Sequence, residues 1–129
     1  MEGPAGDDEI IMANDSFYEA FEAADMAAMA EVWEQSEAVA CTHPGWPTRH
    51  GWKAVAASWE SIFSGGDPLQ FILTDTRVRR HGDTAWVTGD ENLVSAEGPG
   101  GTVAALNIFE RRAGSWLMVA HHGSPVMRR

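Results

Sequence analysis

The chain has 129 residues, of which 44% are hydrophobic, and its six Trp and five Phe are enough to fill one core, so a single domain is expected. Nineteen acidic against nine basic residues leave a formal charge of −10, which opposes binding to nucleic-acid phosphates or anionic lipid, and no apolar run approaches the roughly 20 residues that span a bilayer. The acidic start Met1-Glu2-Gly3-Pro4 lacks the pattern of a secretory signal and Cys41 has no second cysteine to pair with, so a cytoplasmic protein is expected, with Cys41 as a small strand hydrophobe.

Residues 1–6 contain Gly and Pro and are expected to be disordered, leaving 7–129 as the domain. A helix begins near Asp7: Ile10, Ala13, Phe17, Phe21 and Ala24 form one stripe, and Ile11, Asn14, Tyr18, Phe21 and Asp25 an overlapping one. Asp25 can cap a shorter second helix to about Glu34, with Met26, Met29, Val32 and Trp33 at helical spacing. Glu37 to His43 reads as a strand that runs into the Pro44-Gly45-Trp46-Pro47 loop. From Gly51 to Phe63, Trp52, Val55, Ala56, Trp59, Ile62 and Phe63 recur at three and four, predicting a third helix that ends at Gly65-Gly66.

The remainder reads as two antiparallel hairpins, Gln70–Arg80 with Thr84–Ser95 and Thr102–Arg112 with Trp116–His122, joined by a flexible connector, Glu97–Gly101. A turn at Gly82-Asp83 pairs Val78 with Val87, Thr74 with Glu91 and Ile72 with Leu93, which puts Glu91 on the core side; a slip by one residue would put Asp90 or Asn92 there. In the last strand, strict alternation sets Trp116, Met118, Ala120, His122 and Ser124 on one inward face, with Asn107 and His122 as diagonal neighbours. The opposite face would carry Phe71, Leu73, Val94, Leu106, Ile108, Leu117 and Val119, more apolar surface than a monomer exposes, so a homodimer through the sheet is expected. Trp86 would lie on that face near Arg77 and Arg79, in range for a cation–π contact.

Four patterns, in order, carry a resemblance: His43-Pro44-Gly45 after the first strand, Gly51 opening a helix with Trp59 and Phe63, the Gly82-Asp83-Thr84-Ala85-Trp86-Val87 hairpin, and Trp116-x-Met118-Val119-x-x-His122-x-Ser124. Together they resemble the SnoaL-like and ketosteroid isomerase-like branch of the nuclear transport factor 2-like superfamily, and its calcium/calmodulin-association-like and stress-response members look similar too. The resemblance implies an α+β fold: three N-terminal helices packed on a curved, mainly antiparallel sheet that forms a cone with an internal pocket, and homodimers through the sheet. It does not imply one activity, since the superfamily hosts isomerases, dehydratases, epoxide hydrolases, polyketide cyclases and non-catalytic domains. The Tyr/Asp/Asp set of ketosteroid isomerase is not found at matching positions.

Two groups are the catalytic candidates. His122 titrates near cellular pH and suits acid/base work, or it is a pocket-wall histidine bonded to Asn107, Ser124 or a water. Glu91 on an apolar wall would have its pKa raised by desolvation, or it is a solvated rim glutamate. Tyr18, His43, Trp46, Trp59 and Asn107 are the ligand-binding candidates: a phenol on the first helix, a Pro-stiffened loop, a core tryptophan and a pocket amide. No histidine pair has the i, i+4 spacing of a zinc motif, no P-loop or Gly-x-Ser-x-Gly occurs, and neither metal nor cofactor is expected. The reading is therefore a small-molecule pocket protein with cofactor-free acid/base chemistry (isomerase, dehydratase or cyclase) on an apolar carbonyl or hydroxyl compound; the alternative is a non-catalytic ligand carrier or association domain acting as a dimer. An enzyme of this kind predicts a closed pocket of roughly 300 Å³ or more that holds His122 and a carboxylate within bridging distance, whereas an association domain predicts a filled cone and a large exposed patch elsewhere.

Overall fold

The computed structural model describes residues 3–66, 69–95 and 98–127. Helix α1 spans Gly3–Ala23 and buries Ile10, Asn14, Phe17 and Tyr18, the side that the three- and four-residue spacing selects. Of the segment 1–6 expected to be disordered, residues 1 and 2 lie outside the described residues. Ala24 ends α1 with a φ of 52°, and the Asp25 side chain then accepts the Ala28 N–H at 3.1 Å, capping α2 (Met26–Val32). Such a cap contributes about 1 kcal/mol.

Strand β1 is short, Ala40–Thr42, and pairs antiparallel with β2, Arg49–His50, an element that nothing in the residue pattern announced. Helix α3 is Trp52–Phe63. Gly51 before it has a φ of 83°, and a Cβ there would lie 3.0 Å from the Glu37 carboxylate, so this corner admits no side chain without strain.

The sheet is completed by β3 (Gln70–His81), β4 (Thr84–Ser95), β5 (Gly98–Arg112) and β6 (Ser115–Pro125), in the order β2-β1-β6-β5-β4-β3. Every neighbouring pair is antiparallel except β1 with β6. The α+β architecture of three helices on a curved, mostly antiparallel sheet is as expected. Gly98–Gly101, expected as part of a flexible connector, instead opens β5, with Pro99 opposite Val94; Glu97 lies outside the described residues. Between helices and sheet, Trp59 packs edge-on against Phe17 and Phe21 at 5.6 and 4.8 Å, and Phe21 against Phe71 at 4.7 Å.

Two bulges reset which side chains face this core. In β6, Phe109 pairs with Met118 but Ile108 with Ala120, so Val119 is an extra residue and the alternation inverts beyond it. Trp116 and Met118 point inward as expected, but so then do His121 and Gly123, while His122 and Ser124 turn to the outer face. In β3, Thr74 pairs with Asp90 and Arg77 with Thr88, again one residue too many, with Asp75 at a φ of 56°. Leu73 rather than Thr74 therefore pairs with Glu91, Phe71 and Leu73 join the core side, and Ile72 is 59% exposed. Trp86 does face outward opposite Arg79, but the cation–π contacts found are Arg49 over Trp46 and Arg80 and Arg111 over Trp116.

Asp75 tolerates left-handed backbone as a β-branched residue does not. Asp75→Val should lower unfolding stability in urea by about 1–2 kcal/mol, while Asp75→Gly should leave it within about 0.5 kcal/mol of the parent. Equal losses in both would mean that the bulge is not what Asp75 sustains.

Candidate functional site

A connected polar chain crosses the interior between α1 and the sheet. Glu91 on β4 is 3% exposed, and its Oε2 accepts the Tyr18 hydroxyl at 2.6 Å. The Asn107 amide donates to Tyr18 Oη at 3.2 Å and to Asn14 Oδ1 at 2.9 Å. Its own Oδ1 lies 2.5 Å from His121 Nδ1, and because an amide oxygen only accepts, that nitrogen carries the proton. Donation therefore runs one way, from His121 through Asn107 and Tyr18 to Glu91. Each of these polar groups is buried, and each bond avoids a desolvation penalty of about 1–3 kcal/mol.

A second pair lies beside it. Ser58 Oγ donates to the Val55 carbonyl at 2.7 Å, so at the 2.9 Å contact with His43 Nε2 it acts as acceptor and His43 as donor. That arrangement leaves Ser58 no base to activate it as a nucleophile. His43 and His121 have ring centroids 6.5 Å apart, with Trp59 packed on His43 at 4.6 Å. Trp46 is half-buried, edge-on to His43 at 5.0 Å and covered by Arg49.

The structure thus brings Tyr18, Asn107 and Glu91 into one chain and sets His43 and Trp59 next to its His121 end. It does not bring His122 there. The Val119 bulge places His122 in solvent on the outer face, in a cleft of about 310 Å³ with Asp75, Asp90 and Ser124, away from Glu91. Of this adjacent pair, the imidazole that reaches the interior is His121, which has the parity opposite to the inward row expected of an unbroken strand. The cavity touching Tyr18 and Asn107 has a volume of about 10 Å³, room for about one water rather than a ligand-sized pocket. Among the described residues no three His, Cys, Asp or Glu side chains are placed to hold a metal ion.

Burial sets the protonation states. It pushes Glu91 up to about 7, against the hydrogen bond from Tyr18, which pulls it down. It also pushes His121 down to about 3, helped by His43 and His122, and His43 down to about 4, helped by Arg49. The Tyr18 phenol is raised by burial and then by the Glu91 charge, and burial raises the Cys41 thiol, so neither ionises near neutrality.

The whole chain can now be set beside known proteins. Residues 10–128 match the family model described as SnoaL-like domain. The chain belongs to that family. This SnoaL-like domain is 37% identical, with a TM-score of 0.87, to a provisionally assigned dehydratase of the NTF2-like family from Streptomyces avermitilis, covering 97% of this chain and 99% of that one. It is 36% identical, with a TM-score of 0.84, to a provisionally assigned calcium/calmodulin-dependent protein kinase type II association domain from Thiobacillus denitrificans, covering 89% and 93%. It is also 32% identical over 118 residues to the F-box protein SKIP8 of Arabidopsis thaliana, covering 92% of this chain but 50% of that protein, so it spans about half the length of that relative.

The shifted carboxyl has a measurable consequence. Because Glu91 is raised, its contribution to stability is complete below its ordinary value of 4.5 and drains away as pH rises through about 7, about 3 kcal/mol in all. The depressed histidines act in the opposite sense: their contribution is present above 6.5 and lost as pH falls toward 4 and 3. The stability of Glu91→Gln minus that of the parent, from urea unfolding, should therefore rise by about 3 kcal/mol between about pH 4 and pH 8. A difference independent of pH would place Glu91 in contact with water.

Proposed function

We propose that this chain is a SnoaL-like ligand-binding domain that handles a proton on a small, uncharged carbonyl or hydroxyl compound, with Glu91 as acid and base and Tyr18, Asn107 and His121 as its hydrogen-bonding frame. The observation that carries this reading is a carboxyl held in the interior near neutral pKa and bonded at 2.6 Å to a phenol. Such a group exchanges a proton at cellular pH with little driving force wasted. In dehydration of a β-hydroxy carbonyl compound, the ionised carboxylate takes the proton from the carbon next to the carbonyl. The C–O bond at the β-carbon then breaks, and the hydroxyl leaves as water with a proton returned by the carboxyl. The dehydratase assignment of the Streptomyces relative is compatible with this chemistry. The cavity of about 10 Å³ is far below the roughly 300 Å³ expected of a preformed enzyme pocket and does not hold His122, so on this reading a ligand must part the side chains of the interior as it enters.

Incubation with a panel of neutral β-hydroxy ketones and aldehydes, followed by native mass spectrometry and product analysis, tests this. Turnover should fall by about 10²–10⁴-fold in Glu91→Gln and stay near parental in His122→Ala. No retained compound and no turnover across the panel, or loss in His122→Ala alone, would sink it.

A second reading is favoured by the filled interior together with the outer sheet face, where Ile72, Trp86, Val94 and Leu106 are 59, 37, 38 and 37% exposed. In it the domain is a ligand carrier or an association module that pairs through that face, in line with the assignment of the Thiobacillus relative. Light scattering should show a dimer that Trp86→Glu with Leu106→Glu converts to monomer; a monomeric parent would remove this interface.

A further inference from the structure

The small cavity beside the polar chain comes to the surface at the β3 bulge. Its lining joins buried Asn14, Tyr18 and Asn107 to Thr76, which is exposed, and to half-buried Gly89. Strand β3 ends the sheet order, and its ladder with β4 passes from Thr74–Asp90 to Arg77–Thr88, so Asp75 and Thr76 share Gly89 across the break. Gly89 stands between the inward-facing Val87 and Glu91, where its missing side chain leaves space on the interior face of β4. A Cβ there would lie 3.4 Å from Thr76 Oγ1 and 3.5 Å from the Thr74 carbonyl oxygen, ordinary contacts that would close the gap without displacing backbone. Elsewhere the polar chain is covered by rings: Phe17 packs on Tyr18 at 4.8 Å and on His121 at 4.9 Å, and Phe71 on Tyr18 at 5.9 Å.

We propose that the slot between α1 and the β3 bulge is the mouth through which a compound reaches Tyr18 and Glu91, and that Thr76 and Gly89 determine what passes. The identity of the compound rests on the proton-handling reading above; the place of the mouth does not. Parting the structure here disrupts least, because an edge strand is tied to the sheet on one side and this ladder is already interrupted, whereas separating two central strands breaks a continuous row of hydrogen bonds. Gly89 and Glu91 are two residues apart on one face of β4, a separation of about 7 Å, so a compound that enters over Gly89 arrives beside the carboxyl and the phenol. The gap facing Thr76 is the size of the side chain Gly89 lacks. It therefore selects β-hydroxy carbonyl compounds whose leading end is unbranched, since a branch there meets Thr76.

The test reads the mouth first with water alone. In NMR hydrogen exchange on the full chain, Gly89→Ala should slow exchange of the Tyr18 hydroxyl and Asn107 side-chain amide protons about tenfold, and Thr76→Ala should speed it about threefold, each relative to the backbone amide of Phe109, which reports opening of the whole domain. Tyr18 is the chain's single tyrosine, so isotopic labelling of tyrosine then gives one ring reporter at the site. β-Hydroxyethyl methyl ketone should shift it in the parent, and the branched diacetone alcohol should shift it in Thr76→Ala but not in the parent. Exchange that moves in neither variant, or only in step with Phe109, would overturn the mouth; diacetone alcohol entering the parent as readily as Thr76→Ala would overturn the selection. Exchange that responds as expected while neither ketone shifts Tyr18 in any variant would support the mouth as a water path and sink the ligand-handling reading alone.

Discussion

The hydrogen bond between Tyr18 and Glu91 is the constraint around which the interior is arranged. It joins the first helix to the fourth strand through two groups that are otherwise costly to bury, and it is made only if α1 presents Tyr18 beside Phe17 while β4 turns Glu91 inward. Asn107 extends it to α1 again at Asn14 and to β6 at His121, so helix and three strands share one set of donors and acceptors. Aromatic packing around Trp59 adds apolar burial beside it, but such packing tolerates sliding that a directional polar chain does not. Burial, opposed by this bond, holds the carboxyl at the edge of ionisation, so the bond is a structural tie to a group that is also the chemical candidate.

That double role bears on how SnoaL-like domains diverge. Two relatives of nearly equal identity to this chain are assigned to unlike roles, one a dehydratase and one an association domain. A fold shared at this level does not choose between them. In this chain the interior holds a buried polar chain and leaves room for little more than a water, and the sheet carries an apolar outer face. The two features lie on opposite sides of one sheet and do not compete for residues.

Much of the architecture was legible in the residues because it rests on period and punctuation. Helical spacing located α1 and α3, Asp25 marked the start of α2, and Gly82-Asp83 set a turn that gave Val78 opposite Val87 correctly. Glu91 faces inward because β4 runs without interruption from that turn. What misled was the assumption of unbroken alternation: Val119 looks like any strand valine, yet as the extra residue of a bulge it exchanged His122 for His121. Asp75 was the more readable case, since an acidic residue amid β-branched neighbours accepts left-handed backbone, and an adjacent pair of histidines was itself a sign that either could be the one buried. The strand β2, two residues long, falls below any periodic signal.

The parallel seam between β1 and β6 has a kinetic consequence. Antiparallel neighbours such as β3 and β4 meet across a tight turn, but Cys41 and His121 are 80 positions apart, with α3 and three other long strands laid between them. Closing so large a loop costs chain entropy before any contact repays it, which moves the domain toward the slow end of folding rates for its size. It also ties β1, and the Pro44-Gly45 corner that packs on Gly123, to the far end of the chain as well as to its sequence neighbour β2.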